Sequence, residues 1–264
     1  MLDFECIGCA WTLPVDPQTI AGVEIQGTAS PVVQAIFYDR AVAFWEDLLD
    51  RGGRAAALGG SDDHRAGVEL NAVQSPVGDP TTLVLADELS VAGIVAGVRA
   101  GRTVVKLTGP DAPMLTLASA VAPEEGSSVV RARRVELTFE ASDLPPGEPL
   151  TLRVVRDGLT LEEVPVPSGE ERFTHALIAA AGHRYRGELV GQERELVATS
   201  YLFLEPPDDD GGRCGISASA SPRDGLGLLC LIVGAVGLRR RRRGLSRFPT
   251  DGRGTPAGDW PVVR

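Results

Sequence analysis

Residues 129–141 read VVRARRVELTFEA, and this stretch begins the part of the chain that decides the fold. Its second half alternates apolar residues, from Val135 to Ala141, with polar ones. A period of two predicts a strand with one buried face and one exposed face. Similar short runs follow, separated by turn residues: LTLRVVRDG (150–158), LEEVPVP (161–167), ERFTHALIAA (171–180), HRYRGELVG (183–191) and LVATSYLFLE (196–205). Regularly spaced short strands predict an antiparallel β-sandwich of immunoglobulin-like size over residues 126–206.

Upstream of this region, residues 30–53 (SPVVQAIFYDRAVAFWEDLLDRGG) predict a helix. Ser30 is a preferred N-cap residue, Pro31 suits the first turn, and Gly52 or Gly53 can end the helix. Apolar residues three or four positions apart should line the buried face. These residues are Val33, Phe37, Ala41, Phe44 and Leu48.

Short apolar runs on either side of this helix predict strands. They are AGVEIQG (21–27), RAAAL (54–58), TTLVLA (81–86) and TVVKLTG (103–109). A second predicted helix, residues 91–100 with Ser90 as its cap, connects the last two runs. Strand, helix and strand in this order are typical of a βαβ unit, so we expect a parallel α/β sheet over residues 1–120.

The loop ALGGSDDHRAG (57–67) carries the residues best suited to bind a metal. Side chains two positions apart project to the same side of an extended segment, so Asp62 and His64 can face one ion while Asp63 points away. A carboxylate together with an imidazole suits zinc, manganese or iron. The alternative is a surface turn in which an aspartate caps its own backbone.

Several stretches around this loop occur in an informative order. They are VEIQG (23–27), FWEDLLDRGG (44–53), ALGGSDDH (57–64), VGDPTTLVLADELS (77–90) and VRAGRTVVKL (98–107). Together they resemble the C-terminal half of the PHP (polymerase and histidinol phosphatase) superfamily, in its CehA/McbA-like metallohydrolase branch. The resemblance implies a distorted seven-stranded β/α barrel, a cluster of metal ions and hydrolysis of phosphoesters. It also implies that Asp62 and His64 are metal ligands.

The fold class that we expect is therefore α/β: a partial PHP-type β/α barrel over residues 1–120, then the antiparallel β-sandwich, then an apolar anchor helix. The family's first ligands come from an H-x-H motif, whereas this chain has no histidine before His64. We expect His175 and His183, in the sandwich, to be satisfied or exposed. The ligand set for divalent metal ions is thus incomplete. We hypothesise a C-terminal part of a longer enzyme, through a truncated gene, a frameshift or a misplaced start codon, and assign no catalytic residue.

The C-terminal part of the chain has the composition of a membrane anchor. After a polar linker, residues 207–225, an apolar run is followed by the arginines 239–243. The apolar run is shorter than the 20 or so residues that span a bilayer, roughly by a third. Basic residues directly after it hold such a segment at the cytoplasmic side. We expect an apolar anchor over residues 226–243 and disorder over residues 244–264.

The linker, apolar run and arginines also resemble a MYXO-CTERM sorting signal. This resemblance implies that Cys214 is the processing and anchoring residue, that a sorting protease is a partner, and that the protein is anchored in the membrane at the cell surface. An ordinary tail anchor is the alternative. Export requires a signal peptide, and the start MLDFECIGCAWTLP has neither a basic region nor a long apolar region.

The composition limits the classes of molecule that we expect this chain to bind. The formal net charge is −10, and five of the 26 basic residues lie in the single arginine run, so the remainder is strongly acidic. We expect no nucleic acid partner, because phosphate binding depends on clustered Lys and Arg. The local basic group Arg131, Arg133 and Arg134 should be solvated and paired with nearby acids. Cys6 and Cys9 form a lone CxxC, which has too few ligands for a closed zinc site.

Two functions from different classes are therefore open. The first is a metal-dependent hydrolase of PHP type, a phosphoesterase with Asp62 and His64 as metal ligands, impaired in this chain by its incomplete ligand set. The second is a non-catalytic, surface-anchored binding protein that uses the β-sandwich of residues 126–206.

Overall fold

The computed structural model describes residues 14–68 and 74–208, all of which belong to one compact unit. Within these residues there are a 3-10 turn at Pro17–Thr19, two α-helices and thirteen strands. The helices are α1 (Pro31–Asp50) and α2 (Val91–Arg99). The strands are β1 (Gly22–Gln26), β2 (Ala56–Gly59), β3 (Thr81–Val84), β4 (Thr103–Lys106), β5 (Met114–Ser119), β6 (Val129–Arg131), β7 (Arg134–Ser142), β8 (Leu150–Arg156), β9 (Leu159–Val166), β10 (Arg172–Ala180), β11 (His183–Val190), β12 (Glu195–Thr199) and β13 (Leu202–Glu205).

Two facing sheets form a β-sandwich. The smaller sheet has the order β10-β7-β5, and all its pairings are antiparallel. The larger sheet has eight strands and is centred on β11, which pairs with β12 and β13 along one edge and with β8 along the other. Alternate residues of the strands fill the space between the sheets, as the period of two requires. Fully buried side chains there include Leu115, Leu137, Phe139, Leu152 and Leu189.

Helix α1 covers the outer face of the larger sheet and makes a second core. Trp45 and Leu48 of the helix are fully buried there with Ile25 of β1 and Tyr201. The parallel pair β1–β2 lies beside the larger sheet and is joined to it by side chains. Ser200 Oγ accepts the Ala57 N–H at 2.8 Å, and Thr103 Oγ1 donates to the Ala57 carbonyl at 2.7 Å. The result is three layers: helix, large sheet and small sheet.

The partial PHP-type β/α barrel predicted for residues 1–120 is wrong. A β/α barrel requires consecutive parallel strands, but among the described strands of this region only β1 and β2 pair in parallel. Strands β3 and β4 are antiparallel, and β4 continues into the sandwich through antiparallel pairing with β12. The physical reason is that β4 completes its hydrogen bonds with a strand of the β-rich C-terminal part. The molecule is a mostly β, sandwich-like fold.

The βαβ unit predicted over residues 81–109 is wrong for a local reason. The segment between β3 and β4 leaves and returns at the same end of the strands, since the Leu85 N–H donates to the Arg102 carbonyl at 3.0 Å. Helix α2 lies over this end and contacts it through the buried Gly97, which lies against Val84 and the backbone of Leu85. A parallel crossover would have to return to the opposite end. The segment is instead the connection of a long hairpin.

The predicted helix over residues 30–53 is confirmed as α1, but its predicted buried face is largely wrong. The residues buried against the sheet are Gln34, Tyr38, Trp45, Leu48 and Leu49. Of the predicted face only Leu48 is among them; the other four members are half-buried, and of these Phe44 packs against the core. The helix is rotated because the sheet beneath it carries charged side chains that hydrogen-bond polar groups of α1.

Several expectations concern residues outside the described ranges. They include the CxxC of Cys6 and Cys9, Cys214, most of the linker 207–225, the apolar anchor 226–243 and the tail 244–264. Within residues 14–68 and 74–208, no helix is long and apolar enough to cross a membrane.

Candidate functional site

The two predicted metal ligands lie together on the loop that follows β2. His64 Nε2 is 3.1 Å from Asp62 Oδ1, and both side chains are more than 70% exposed, at 77% and 72%. Asp62 has a positive φ of 51°, which a non-glycine residue rarely adopts. The backbone therefore turns at Asp62. The side chain of His64, two residues later, meets that of Asp62.

Asp63 serves the turn itself. Its carboxylate accepts the N–H of Arg65 at 2.8 Å and the N–H of Gly67 at 2.5 Å. The Asp63 carboxylate is thus engaged with the backbone of its own turn. An aspartate does cap its own backbone here, as in the surface-turn alternative, and it is Asp63 that does so.

Sequence reasoning missed Glu24 of β1, which lies beside this loop. Parallel pairing of β1 with β2 brings its carboxylate next to two glycines. A Cβ at Gly27 would lie 2.8 Å from Glu24 Oε1, and a Cβ at Gly60 would lie 3.1 Å from Oε2. Partial burial and the neighbouring Asp62 carboxylate raise the pKa of Glu24 above its usual value of 4.5. In the sequence, Glu24 is a single glutamate between two apolar residues, Val23 and Ile25. The spacing of residues along the chain does not show that β2 lies next to β1.

The geometry allows a test of whether a divalent ion fits. Two ligands at about 2.1 Å from a tetrahedral ion lie about 3.4 Å apart, whereas the Asp62–His64 separation of 3.1 Å is that of a direct ion pair. A complete site needs at least one more protein ligand. In residues 14–68 and 74–208, no group of three or more His, Cys, Asp or Glu side chains could hold a metal ion. The pair supplies two ligands only if its side chains move slightly apart, and it does not make a complete site.

The other two histidines have structural partners, as expected. His175 Nε2 lies 2.8 Å from Glu162 Oε1, and His183 Nδ1 lies 2.5 Å from Asp157 Oδ2. The prediction that both are satisfied or exposed is confirmed.

Arg131 pairs with carboxylates, as expected for a solvated basic group. Its guanidinium contacts Glu124 at 2.5 Å, Glu205 at 3.0 Å and Asp208 at 3.2 Å. Arg133 and Arg134 were also expected to be solvated, and both are exposed.

A cleft of about 800 Å³ opens at one end of the sandwich, between three loops. The loops are residues 108–113, 143–148 and 191–194, and Leu196 lies at the base. Carboxylates line it together with one guanidinium and apolar walls of proline and leucine. The charged residues are Asp111, Asp143, Glu148, Glu193 and Arg194. The cleft can therefore accept a ligand that carries a positive charge and an apolar body.

A third set of ionisable groups is buried between α1 and β11. Arg186 and Glu188 are each only 4% exposed and pair at 2.5 Å. Glu188 also accepts the Tyr38 hydroxyl at 3.0 Å and pairs with Arg153 at 2.9 Å. Each of these groups has partners inside the fold, and the set holds α1 on the sheet.

Comparison with known proteins does not assign this chain to a family. No family model and no curated protein sequence matches this chain. Among solved structures, the crystal structure of the CARDB domain of a Pyrococcus furiosus protein, in complex with di-metal ions, is similar to part of it. The identity is 18%, the match covers 36% of this chain and 96% of that domain, and the TM-score is 0.27. The metal ions are a property of that domain, and a likeness this low carries no argument about this chain.

Proposed function

We propose that this chain is part of a metal-dependent phosphoester hydrolase in which Asp62 and His64 hold a divalent ion. The observation that carries the proposal is the convergence of the two side chains at 3.1 Å on a loop with a strained backbone at Asp62. Zinc, manganese and iron suit this carboxylate–imidazole pair. When bound, such an ion lowers the pKa of a coordinated water. This chain's own residues bind the ion, and further ligands complete its shell.

Glu24 supports the proposal electrostatically. Burial and the charge of Asp62 raise the pKa of Glu24, and two carboxylates that interact in this way repel unless a proton or a cation lies near them. The glycines at 27 and 60 leave room for Glu24 that a side chain would fill. A divalent ion at Asp62 would therefore also be attracted to Glu24.

The test is metal titration of the full chain by calorimetry, with Zn²⁺ and with Mn²⁺. We expect weak binding, because two protein ligands hold an ion loosely, and at least a tenfold loss in Asp62→Asn and in His64→Ala. Glu170→Gln is the control, since it removes an exposed carboxylate from the β9–β10 turn and leaves the Asp62–His64 loop unchanged. Equal binding by all three variants and the wild type would refute the site.

A phosphodiesterase assay on the same samples tests the reaction. We expect little turnover by this chain alone, and any turnover should require added metal and disappear with Asp62→Asn. Rapid hydrolysis that Asp62→Asn leaves unchanged would place the chemistry at other residues and contradict the proposal.

The cleft at the end of the sandwich favours a second candidate, a non-catalytic binding protein anchored at the cell surface. Its carboxylates and apolar walls suit a basic peptide more than a neutral glycan. Binding of a lysine-rich peptide, measured by fluorescence anisotropy, should weaken in the double variant Asp143→Asn/Glu193→Gln. Glu170→Gln, on the exposed β9–β10 turn outside the cleft, is the control. Binding of a glycan in place of the peptide would reject the charge argument.

A further inference from the structure

The chain contains two Asp–Pro peptide bonds in different surroundings. They are Asp16–Pro17, at the start of the 3-10 turn, and Asp79–Pro80, directly before β3. Acid breaks Asp–Pro bonds more easily than other peptide bonds, because the aspartate carboxyl can attack its own main-chain carbonyl carbon. The attack closes a five-membered ring within one residue, so the reacting atoms need no approach across space. The two bonds differ in the contacts of the carboxyl that attacks.

The main-chain carbonyl of Asp79 belongs to a cluster of hydrogen bonds. Ser75 Oγ donates to the Asp79 carbonyl oxygen, and the Ala29 N–H is shared between that oxygen at 3.3 Å and Ser75 Oγ at 3.0 Å. Thr28 Oγ1 lies 2.9 Å from Ser75 Oγ, and both side chains are buried. Fixed donors that are shielded from water stabilise the negative charge that develops on a carbonyl oxygen under attack.

The side-chain carboxyl of Asp79 has no such donor. Within residues 14–68 and 74–208, no hydrogen bond or ion pair holds its oxygens. It lies against Gly109, where a Cβ would be 2.7 Å from Oδ1. Partial burial, and then the charge of Asp111, raise the pKa of Asp79 above its usual value of 3.8. The carboxyl therefore keeps its proton to a higher pH than an ordinary aspartate does.

The basic side chains nearest to this region are bonded elsewhere. Lys106 Nζ donates to the Pro110 carbonyl at 3.0 Å, and Arg194 Nη1 donates to the Ala29 carbonyl at 3.1 Å. Asp111 is the neighbouring charge that acts on Asp79, and it favours the protonated form.

Asp16–Pro17 is a matched control within the same chain. The Asp16 carbonyl also accepts two donors, the Thr19 N–H at 3.0 Å and Thr19 Oγ1 at 2.7 Å. Its carboxylate, however, accepts the Gln18 N–H at 3.0 Å and caps the 3-10 turn. Asp16 must give up this hydrogen bond before it can attack, whereas Asp79 has none to lose.

We propose that the folded protein cleaves itself at the Asp79–Pro80 bond in mildly acidic solution, with water as the only co-reactant. The protonated Asp79 carboxyl attacks the Asp79 main-chain carbonyl carbon and gives its proton to the Pro80 nitrogen. The C–N bond breaks, which leaves a cyclic anhydride on residue 79 and a free secondary amine on Pro80. Water then adds to the anhydride and opens it to the two carboxyl groups of a C-terminal aspartate.

The two products should stay together after cleavage. The product 1–79 carries β1, α1 and β2, and the product 80–264 carries the sandwich. Trp45 and Leu48 of α1 remain buried against the large sheet, so the pieces separate only when the protein is denatured. Cleavage must therefore be measured under denaturing conditions.

Intact mass spectrometry of the full chain after incubation at about pH 5 tests the proposal, at a pH above the range in which acid should destabilise the fold. We expect the pieces 1–79 and 80–264 to form at least tenfold faster than 1–16 and 17–264. In concentrated urea the two bonds should break at similar rates, because the contacts that distinguish them are lost. Equal rates in the folded protein, or faster cleavage at Asp79 in urea than in the fold, would overturn the proposal.

Variants and a chemical trap test the mechanism. Asp79→Glu keeps the charge but must close a larger ring, and we expect it to slow cleavage at this bond at least tenfold. Ser75→Ala removes the donor to the carbonyl oxygen and should also slow it. Cleavage at Asp16–Pro17 should be unchanged in both variants, and circular dichroism checks that they fold. Hydroxylamine should convert the anhydride on residue 79 into a hydroxamate. Unchanged cleavage in Asp79→Glu, or no hydroxamate, would refute the attack by the carboxyl.

The pH profile separates this chemistry from a loss of structure. Asp111 is exposed, so Asp111→Asn should leave the fold intact. It removes a charge that raises the pKa of Asp79, so the pH profile of cleavage at Asp79–Pro80 should move to lower pH. The profile at Asp16–Pro17 should stay in place. An unmoved profile at Asp79–Pro80 would contradict the role of the protonated carboxyl.

Discussion

Strand β11, which carries Arg186 and Glu188, contributes side chains to two cores. Side chains alternate along β11, so Arg184, Arg186 and Glu188 face α1, while Tyr185 and Leu189 face the small sheet. Taking charges out of water is unfavourable unless each finds a partner. Here Arg186 pairs with Glu188, and Arg184 pairs with Glu46 at 2.8 Å. The buried pairs therefore bind α1 in one orientation.

Removal of one partner should be strongly destabilising. We expect Arg186→Met to lower the free energy of unfolding by about 3–5 kcal/mol, since it leaves Glu188 buried with less compensation. Urea denaturation measures the change. Arg172→Met breaks an ion pair with Glu140 in which the arginine is 75% exposed, and should cost about 1 kcal/mol or less. Equal losses in the two variants would contradict the account of α1 docking.

The same pair predicts how stability depends on pH. Burial alone would raise the pKa of Glu188, but the guanidinium groups of Arg186 and Arg153 lower it below the usual 4.5. A group with a lowered folded-state pKa stabilises the fold above its unfolded pKa, and this contribution is lost as pH falls through the folded value. Stability should therefore fall below about pH 4.5.

Urea denaturation at pH 3 to 6 checks this dependence. Glu188→Gln should be less stable at neutral pH and should show a shallower loss on acidification than the wild type. Glu170→Gln, on an exposed turn, should keep the wild-type slope. A wild-type slope in Glu188→Gln would mean that other carboxylates control acid unfolding.

Two opposing effects determine how a substitution of Gly97 in α2 changes stability. A Cβ there would lie 2.6 Å from Val84 Cγ1 and 2.8 Å from the Leu85 carbonyl oxygen. Helix propensity favours alanine over glycine by about 1 kcal/mol. The close backbone atom cannot move aside cheaply, and overpacking costs about 1–3 kcal/mol. We expect Gly97→Ala to be net destabilising in thermal or urea unfolding.

Ala96→Gly is the matched control, on the exposed side of the same helix. It should cost about 1 kcal/mol from propensity alone. Stabilisation by Gly97→Ala would show that α2 is free to shift away from β3.

Helix α1 shows what a sequence can predict about an element and what it cannot. Its bounds follow from Pro31 and the glycines after residue 51, and the prediction of the helix is confirmed. Its buried face did not follow from apolar spacing. Gln34 and Tyr38 are buried because they hydrogen-bond to Glu195 O and to Glu188, which lie more than 140 positions away. Hydrophobic periodicity contains no information about a polar partner surface.

The sequence also does not determine strand direction or all the residues of the candidate site. The runs at 81–86 and 103–109 do contain strands, but their antiparallel pairing depends on where the chain returns. Asp62 and His64 could be paired from their spacing of two residues, and the structure places them together. Glu24 required knowledge that β1 and β2 are neighbours, because spacing links only residues that are close in sequence.

The expected barrel and sandwich parts share one sheet, so the described residues should unfold in one step. β4 pairs with β12, and α1 packs on β11 and β13. In a Trp11→Phe/Trp260→Phe background, the fluorescence of Trp45 reports the α1 core, while far-UV circular dichroism reports mainly strands. We expect the two signals to change at the same urea concentration. Separate midpoints would show that the α1 layer unfolds on its own.

The sequence separation across the α1 layer sets the order in which the protein can be assembled on the ribosome. Glu46 of the helix meets Arg184 and Tyr201, which follow it by 138 and 155 residues. At translation rates of about 5–20 residues per second, α1 is synthesised roughly 10–30 s before its docking strands. During that interval Trp45 and its neighbours have no sheet to cover them. The nascent chain should therefore depend on a holding chaperone until β13 has emerged.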